Sequence, residues 1–313
     1  MVAAKLLGRG ERPFLINLDE FPRDYSIVYE FFQTQWVRSI THLPSKDTVN
    51  ADEIGAVWLR KPGDFAFTSD DLDEDEKNFA VNETDHFLHG FLLSLDCYWM
   101  SHPVALRNAQ WKGEQLFRAN KMGFSIPESI ISNQPGSVRD FKSKVNDDII
   151  YKTMSSPLLS TDENNIANSV PTTLITEEHL AHLDTVEEVP CCFQSLIDKS
   201  FELRVYVIGE TLFAAKIHSQ DDNRTLIDYR DFSADIRYEA TLLPKSVERL
   251  CREFILSYNL NYGAIDLIVT PDEEYVFLEN NPGGQFLFVE ELIPELNMVE
   301  TMANCLVDGA YGR

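Results

Sequence analysis

The 313-residue sequence is short of positive charge: 27 Lys and Arg stand against 51 Asp and Glu, for a formal net charge of −24. Phosphate-rich polymers are gripped by concentrated Lys and Arg, so this balance speaks against nucleic acid as a partner. An acidic surface is either simple solvation or the complement of a basic peptide. Cysteine is scarce as well. Cys97, Cys191, Cys192, Cys251 and Cys305 are odd in number and lack metal-ligand spacing, which argues against a disulfide framework or a zinc site and for a reducing, cytoplasmic setting. No signal peptide is evident. The most apolar run, Phe87 to Met100, is broken by His89 and Asp96 and is too short for a bilayer, so no membrane role is implied. Internal repeats and low-complexity tracts are lacking too.

What is present is an ordinary globular composition, 44% hydrophobic with 14 Gly and 14 Pro, long enough for two or three subdomains. Residues 1–12 read as an unpatterned basic tail. Phe14–Leu18 reads as a first buried strand, and Ser26 to Gln35 as helical. Trp36–Ile40 and Ala56–Leu59 read as strands, and acidic Ser69–Glu76 as a loop leading into a helix through Leu95. Trp36, Trp58 and Trp99 read as core. This alternation predicts a small α/β domain to about residue 105.

Beyond it, Lys112–Lys121 has helical spacing with Gly123 as its C-cap. Asn133–Gly136 reads as a turn and Ile149–Lys152 as a short strand. Residues 153–170 are polar and read as a loop. Cys191–Ile197, Leu203–Ile208 and Leu212–Ile217 read as strands, and Leu243–Ser257 as a helix.

The most informative stretch follows. Asp266 precedes Leu267-Ile268-Val269-Thr270, and a turn leads to Tyr275-Val276-Phe277-Leu278-Glu279-Asn280-Asn281. Two strands with Asp266 at the head of one and Glu279 and Asn281 at the foot of the other bring three hard oxygen ligands together. Such a set suits Mg²⁺, which takes carboxylates and keeps positions for water and phosphate. The alternative is a buried hairpin with polar ends.

In order along the chain, Lys112, Lys152, Phe193-Gln194-Ser195-Leu196-Ile197, Glu202-Leu203-Arg204, and Asp266, Glu279 and Asn281 resemble the ATP-grasp superfamily. Within it, Val57-Trp58-Leu59-Arg60-Lys61-Pro62, Trp99-Met100-Ser101-His102-Pro103 and Asp228-Tyr229-Arg230 resemble motifs of the graspetide, or microviridin-type, peptide macrocyclases. The resemblance implies an α/β (α+β) ATP-grasp fold. It would comprise an N-terminal α/β pre-domain (1–105), a central lobe with the peptide-docking region (106–192), and a C-terminal lobe with the metal and acceptor sites (193–313).

It further implies ATP and Mg²⁺ as cofactors. Lys112 and Lys152 would bind phosphate; Gln194, Ser195, Leu196 and Ile197 would line adenine, with the peptide groups of Leu196 and Ile197 hydrogen-bonding the base, and Glu202 would belong to the same nucleotide-binding set. Asp266, Glu279 and Asn281 would hold the metal. Arg204 would neutralise developing charge, Asp228 accept a proton, Arg230 grip a carboxylate or acylphosphate, and Lys216 reach the γ-phosphate. The implied activity is side-chain ester or amide cross-linking of a ribosomally made precursor peptide through an acylphosphate.

The implied partners are a precursor peptide with a helical leader, docked near the acidic segment Pro171 to Pro190, and a second copy in a homodimer. Two other readings keep the same nucleotide site: a ligase adding a free amino acid to a protein or peptide, and a peptide-binding homologue without catalysis. Ser195 stands where the family usually has Glu, a departure that bears on nucleotide selectivity. Asn280 is a milder one.

Overall fold

The computed structural model describes residues 1–60, 63–155, 158–161, 167–231 and 233–312. The chain divides into two compact units, Met1–Ala105 with Val299–Arg313, and Leu106–Met298.

In the first unit, α1 (Val2–Gly8) occupies the stretch read as a tail. Phe14–Leu18 forms no strand; Phe14, Ile16 and Leu18 pack against the core while Leu15 is exposed. Where a helix is expected, β1 (Tyr25–Phe32) pairs antiparallel with β2 (Gln35–His42), from Tyr25 opposite His42 to Phe32 opposite Gln35, and β3 (Asp47–Asn50) continues the sheet. The aromatic and β-branched content of β1 favours the strand. Gln33 and Thr34, at φ 46° and 67°, make the two-residue turn, a role ordinarily signalled by Gly or Asn.

That hairpin leaves Phe31, Phe32, Val37 and Trp36 exposed, so Trp36 is no core residue; it stacks on Tyr29 with centroids 4.9 Å apart. Helix α2 (Glu74–Leu93) starts in the acidic segment, with Asp73 and Glu76 forming a reciprocal cap. Its Leu88 and Phe91 join Phe21, Ile40 and Trp99 in the core. β4 (Ala56–Val57) and β5 (Tyr98–Trp99) pair in parallel beside it. A Cβ on Gly309 would lie 2.3 Å from the Tyr98 ring, so the last helix lies close against β5 only as glycine. The Lys61–Pro62 end of the tryptophan element lies outside the described residues.

Helix α3 (Pro103–Asn108) leads to the second unit and to α4 (Lys112–Met122), which ends at Gly123 with φ 99°. β6 (Ser129–Ser132) follows. The predicted turn at Asn133–Gly136 instead opens α5 (Pro135–Lys144), with Pro135 in the first turn where its missing N–H costs nothing. β7 (Ile149–Lys152) is as expected. The segment read as a loop holds β8 (Leu158–Thr161) paired with β9 (Ala167–Ser169). β10 (Thr173–Leu174), α6 (Glu177–Ala181) and β11 (Cys191–Ser195) complete a four-stranded antiparallel sheet and its cover, in strand order β10-β7-β11-β6.

The second sheet has five antiparallel strands. β12 (Phe201–Ile208), β13 (Thr211–Ile217) and β14 (Tyr238–Thr241) join β15 (Tyr262–Val269) and β16 (Tyr275–Asn281) in the order β14-β13-β12-β15-β16. Helix α7 (Lys245–Ser257) packs on β12 and β15. It lies so close that a Cβ on Gly263 would meet Ile255 Cδ1 at 2.2 Å. The short α8 (Leu287–Leu292) and α9 (Met298–Ala310) end the chain. Among the described residues, no helix is long and apolar enough to cross a membrane.

Candidate nucleotide and metal site

Strand register builds the centre of the site. Arg204 of β12 lies opposite Asp266 of β15, which lies opposite Glu279 of β16. Paired residues in antiparallel strands share a face, so three charged side chains stand in a row on the face away from α7. Asp266 sits in the middle of its strand rather than at its head, because β15 begins four residues earlier, at Tyr262.

The row is buried and ion-paired. Arg204 Nη1 donates to both oxygens of Asp266 at 2.7 Å. Arg230 Nη2 reaches Glu279 Oε1 at 2.5 Å and Asp266 Oδ2 at 3.3 Å. Lys112 Nζ stands 3.0 Å from Glu279 Oε2. Burial opposes ionisation of Glu279, but Arg230, Lys112 and Lys152 outweigh it and hold the carboxyl well below the usual carboxylate range. Glu279 Oε2 is buried and has the Lys112 ion pair but no hydrogen bond.

Asn281 Nδ2 lies 3.2 Å from both Asp266 Oδ2 and Glu279 Oε1. Turning that amide over puts its oxygen in the same place, facing both carboxylates. Among the described residues no three His, Cys, Asp or Glu gather as a metal cage. Two carboxylates and one amide oxygen therefore fit a hard cation that draws its other ligands from water and phosphate.

Lys112 is fixed by its helix. Its Nζ also donates to the Thr153 carbonyl at 2.8 Å. One turn along α4, the buried Gln115 accepts from Asn280 N at 2.8 Å and donates to Asn280 O at 2.9 Å, clamping helix to strand. Lys152, at the end of β7, lines two openings with Arg230 and Asp228.

The first opening is a slot of about 40 Å³ with Ile150, Leu196, Ile268 and Leu278 as apolar walls and Lys152 and Glu279 among its polar ones. Leu196 N–H already donates to Asp148 O at 2.7 Å, which removes one expected adenine donor. Ile197 N–H makes no backbone hydrogen bond among the described residues. Gln194 lies opposite Ile150 and shares its face, and its Nε2 donates to Ser129 Oγ at 3.0 Å. Ser195 lies opposite Ile149, on the face that Phe193 and Ile149 pack into the core. Ser195 borders the slot, yet its side chain belongs to that inner face, and its hydroxyl is buried without a partner.

The second opening, of about 430 Å³, includes Lys112, Thr172, Arg224, Asp228 and Arg230 in its lining. Asp228 accepts from Thr172 Oγ1 at 2.8 Å and from Arg230 N at 3.1 Å, so the Asp-Tyr-Arg segment is a side-chain-braced turn.

Two expected residues sit differently. Lys216 lies opposite Leu203 and Glu239, one position out of step with Arg204, and so projects from the other face. There it pairs with Glu239 at 3.3 Å and stands 4.4 Å over the Phe201 ring. Glu202 lines the slot, but it is held by Lys199 at 2.6 Å. Burial pushes its carboxyl up, against the pull of Lys199.

Sequence reasoning missed Lys199 and Gln115. Lys199 carries a faint signal, a cation three residues before an acid at a strand entrance. Gln115 carries none, since nothing local marks a helical Gln as a strand clamp.

Comparison with known proteins gives the class. The model of the MvdD pre-ATP grasp domain matches residues 1–107. Among solved structures, a Chryseobacterium gregarium RiPP-associated ATP-grasp ligase, in complex with ADP and a leader and core peptide, is 30% identical. That match covers 98% of this chain and 92% of that one, with a TM-score of 0.89. The macrocyclase MdnC of Microcystis aeruginosa MRC, bound with precursor peptide MdnA, is 28% identical over 98% and 94% of the two chains, with a TM-score of 0.86. MdnB of the same organism is 26% identical over 98% and 94%, at 0.81. No protein of curated function matches the sequence.

The fold is the ATP-grasp fold with its pre-ATP-grasp domain. The chain belongs to the RiPP-associated ATP-grasp ligases, the graspetide group, and is an ATP-dependent ligase.

Proposed function

We propose that this ligase cross-links a ribosomally made precursor peptide through its own side chains. The observation that carries the reading is the continuity of the slot and the open cleft: Lys152, Asp228 and Arg230 line both. A nucleotide in the slot would thus present its last phosphate to a peptide in the cleft. A carboxylate oxygen of the peptide attacks the γ-phosphorus and ADP leaves, giving an acylphosphate. A hydroxyl or amine of the same peptide then attacks the acyl carbon and gives up its proton, and the acyl C–O bond breaks as phosphate leaves with its electron pair. The peptide loses one water per cross-link, and ring closure is favoured because the nucleophile is already tethered.

The residues divide this work. Lys112 and Lys152 hold phosphate oxygens, and Arg204 orients Asp266 by donating to both of its oxygens. Asp266, Glu279 and Asn281 would hold Mg²⁺, which neutralises charge on the transferring phosphoryl group when bound. The planar fork of Arg230 suits a carboxylate or acylphosphate. Asp228, two residues away, is placed to take the proton of the attacking group. Gln194 and the Ile197 N–H form the base-facing edge. Lobes 106–192 and 193–313 supply the lysines and the carboxylates respectively.

A helical, basic leader would dock on the acidic cover of the first sheet, where Glu177, Glu178, Glu187 and Glu188 are all exposed. Reversing these four charges should weaken leader binding at least tenfold, roughly 1.4 kcal/mol; calorimetry with unchanged affinity would sink this site. The exposed aromatic hairpin of Phe31, Phe32 and Trp36 supports a homodimer, which sedimentation tests. Five free cysteines support a cytoplasmic setting.

The deciding experiment is mass spectrometry of a candidate precursor peptide after incubation with enzyme, ATP and Mg²⁺. Loss of one water per bond supports the reading. A gain equal to a supplied amino acid makes the enzyme a chain-extending ligase instead.

A further inference from the structure

Lys199 is almost completely buried, its side chain 4% exposed, in the wall of the slot. Its ammonium donates to Glu202 Oε1 at 2.6 Å and to the Ile227 carbonyl at 3.0 Å. Glu202 belongs to β12, two residues before Arg204, and is itself 4% exposed. Ile227 immediately precedes Asp228 and Arg230. An ammonium has three donors; two are committed here, and Lys199 lines the slot with one remaining.

The loop that Ile227 belongs to is held at its other points by contacts of its own. Thr225 Oγ1 donates to Ser219 O at 2.8 Å, and Arg224 bridges Asp222 and the Ser233 carbonyl. Thr172 braces Asp228 from the neighbouring sheet. Thr172, itself in the slot lining, and Arg230, through Glu279 and Asp266, tie the loop to the slot wall by side chains of the loop; the Lys199 bond ties it by the loop's backbone, at Ile227.

We propose that Lys199 is a positioning residue that ties the nucleotide slot to the acceptor loop, setting where Asp228 and Arg230 stand relative to the transferring phosphate. Glu202 serves to hold Lys199. This explains why a carboxylate with its charge opposed by burial is kept at the slot: removing either partner strands the other. Loosening the tie leaves phosphoryl transfer possible but misplaces the groups that capture the acylphosphate, which water then hydrolyses. In that branch the acyl carbon gains a water oxygen, phosphate leaves, and the peptide returns unchanged at the expense of one ATP.

The inference rests on the cross-linking function for its second half only, so the test has two parts. Lys199→Met alone leaves Glu202 buried without a cation and is expected to fold poorly. Lys199→Met combined with Glu202→Gln removes both charges at similar volume and keeps the fold. In that double variant, hydrogen exchange across residues 219–231 should rise about tenfold, the loss of one hydrogen bond of about 1.4 kcal/mol. Exchange in β12 and β15 should stay within about threefold of the parent.

With peptide, ATP and Mg²⁺, ADP released per water lost from the peptide should climb from about one to several, and cross-linking should slow about a hundredfold. That ratio is indifferent to how much enzyme is active, so destabilisation alone does not move it. Unchanged loop exchange overturns the tie, and an unchanged ADP-to-water ratio overturns its catalytic consequence. If the parent enzyme itself cross-links nothing, the cross-linking function falls, while loop exchange still decides the tie.

Discussion

The slot and the cleft meet at Arg230 yet are built by opposite means. In the slot, Asp266, Glu279 and Glu202 are each 4% exposed or less, with Arg204 or a lysine within 3.0 Å. In the cleft, Arg224 and Arg230 have side chains 49% and 39% exposed, and the volume is about ten times larger. Buried, mutually neutralised charge is rigid and expensive to disturb, which suits a ligand of one shape. Half-exposed cations in an open cleft accommodate a chain whose sequence can vary.

Three substitutions break or sharpen this contrast. Glu279→Gln disturbs the slot at its centre and should lower turnover by about a thousandfold or more, while calorimetry finds peptide affinity nearly unchanged; full activity would remove the metal assignment. Arg230→Lys keeps the charge where slot meets cleft but loses the fork. A drop of about ten- to a hundredfold in kcat/KM for peptide is expected, roughly 1.5–3 kcal/mol, with ADP affinity retained. Ser195→Ala should have the smallest effect. It removes a buried hydroxyl that has no partner, so denaturant unfolding should show a gain of about 1 kcal/mol, and the KM for ATP should not change. A changed KM would mean that the side chain at 195 does reach the base.

Legibility followed the same division. The carboxylates and Arg204 were readable because they sit on strands, where spacing fixes which face a side chain takes. Asp266, Glu279 and Asn281 do converge, as do Arg204 and both lysines. Lys216 was misread because its partner strand was unknown, and a one-residue difference in register reverses the face. For Ser195 a substitution was noticed, but its face follows from pairing with Ile149, which sequence does not state. Strand β1 was taken for helix because its turn, Gln33-Thr34, lacks the residues that usually announce one. The Lys199 tie joins positions 28 residues apart through a carbonyl, and no side-chain pattern records a carbonyl.

The Gln115 clamp has a consequence for how the chain keeps its own company. β16 is an outer strand of the five-stranded sheet, and an outer strand with open N–H and C=O groups is a template for intermolecular pairing. Gln115 engages both such groups of Asn280, and Ser125 O takes the N–H of Phe277 at 2.8 Å. A side-chain amide and one residue of backbone thus imitate a sixth strand. The edge that carries Glu279 is sealed against aggregation by the same helix that delivers its lysine.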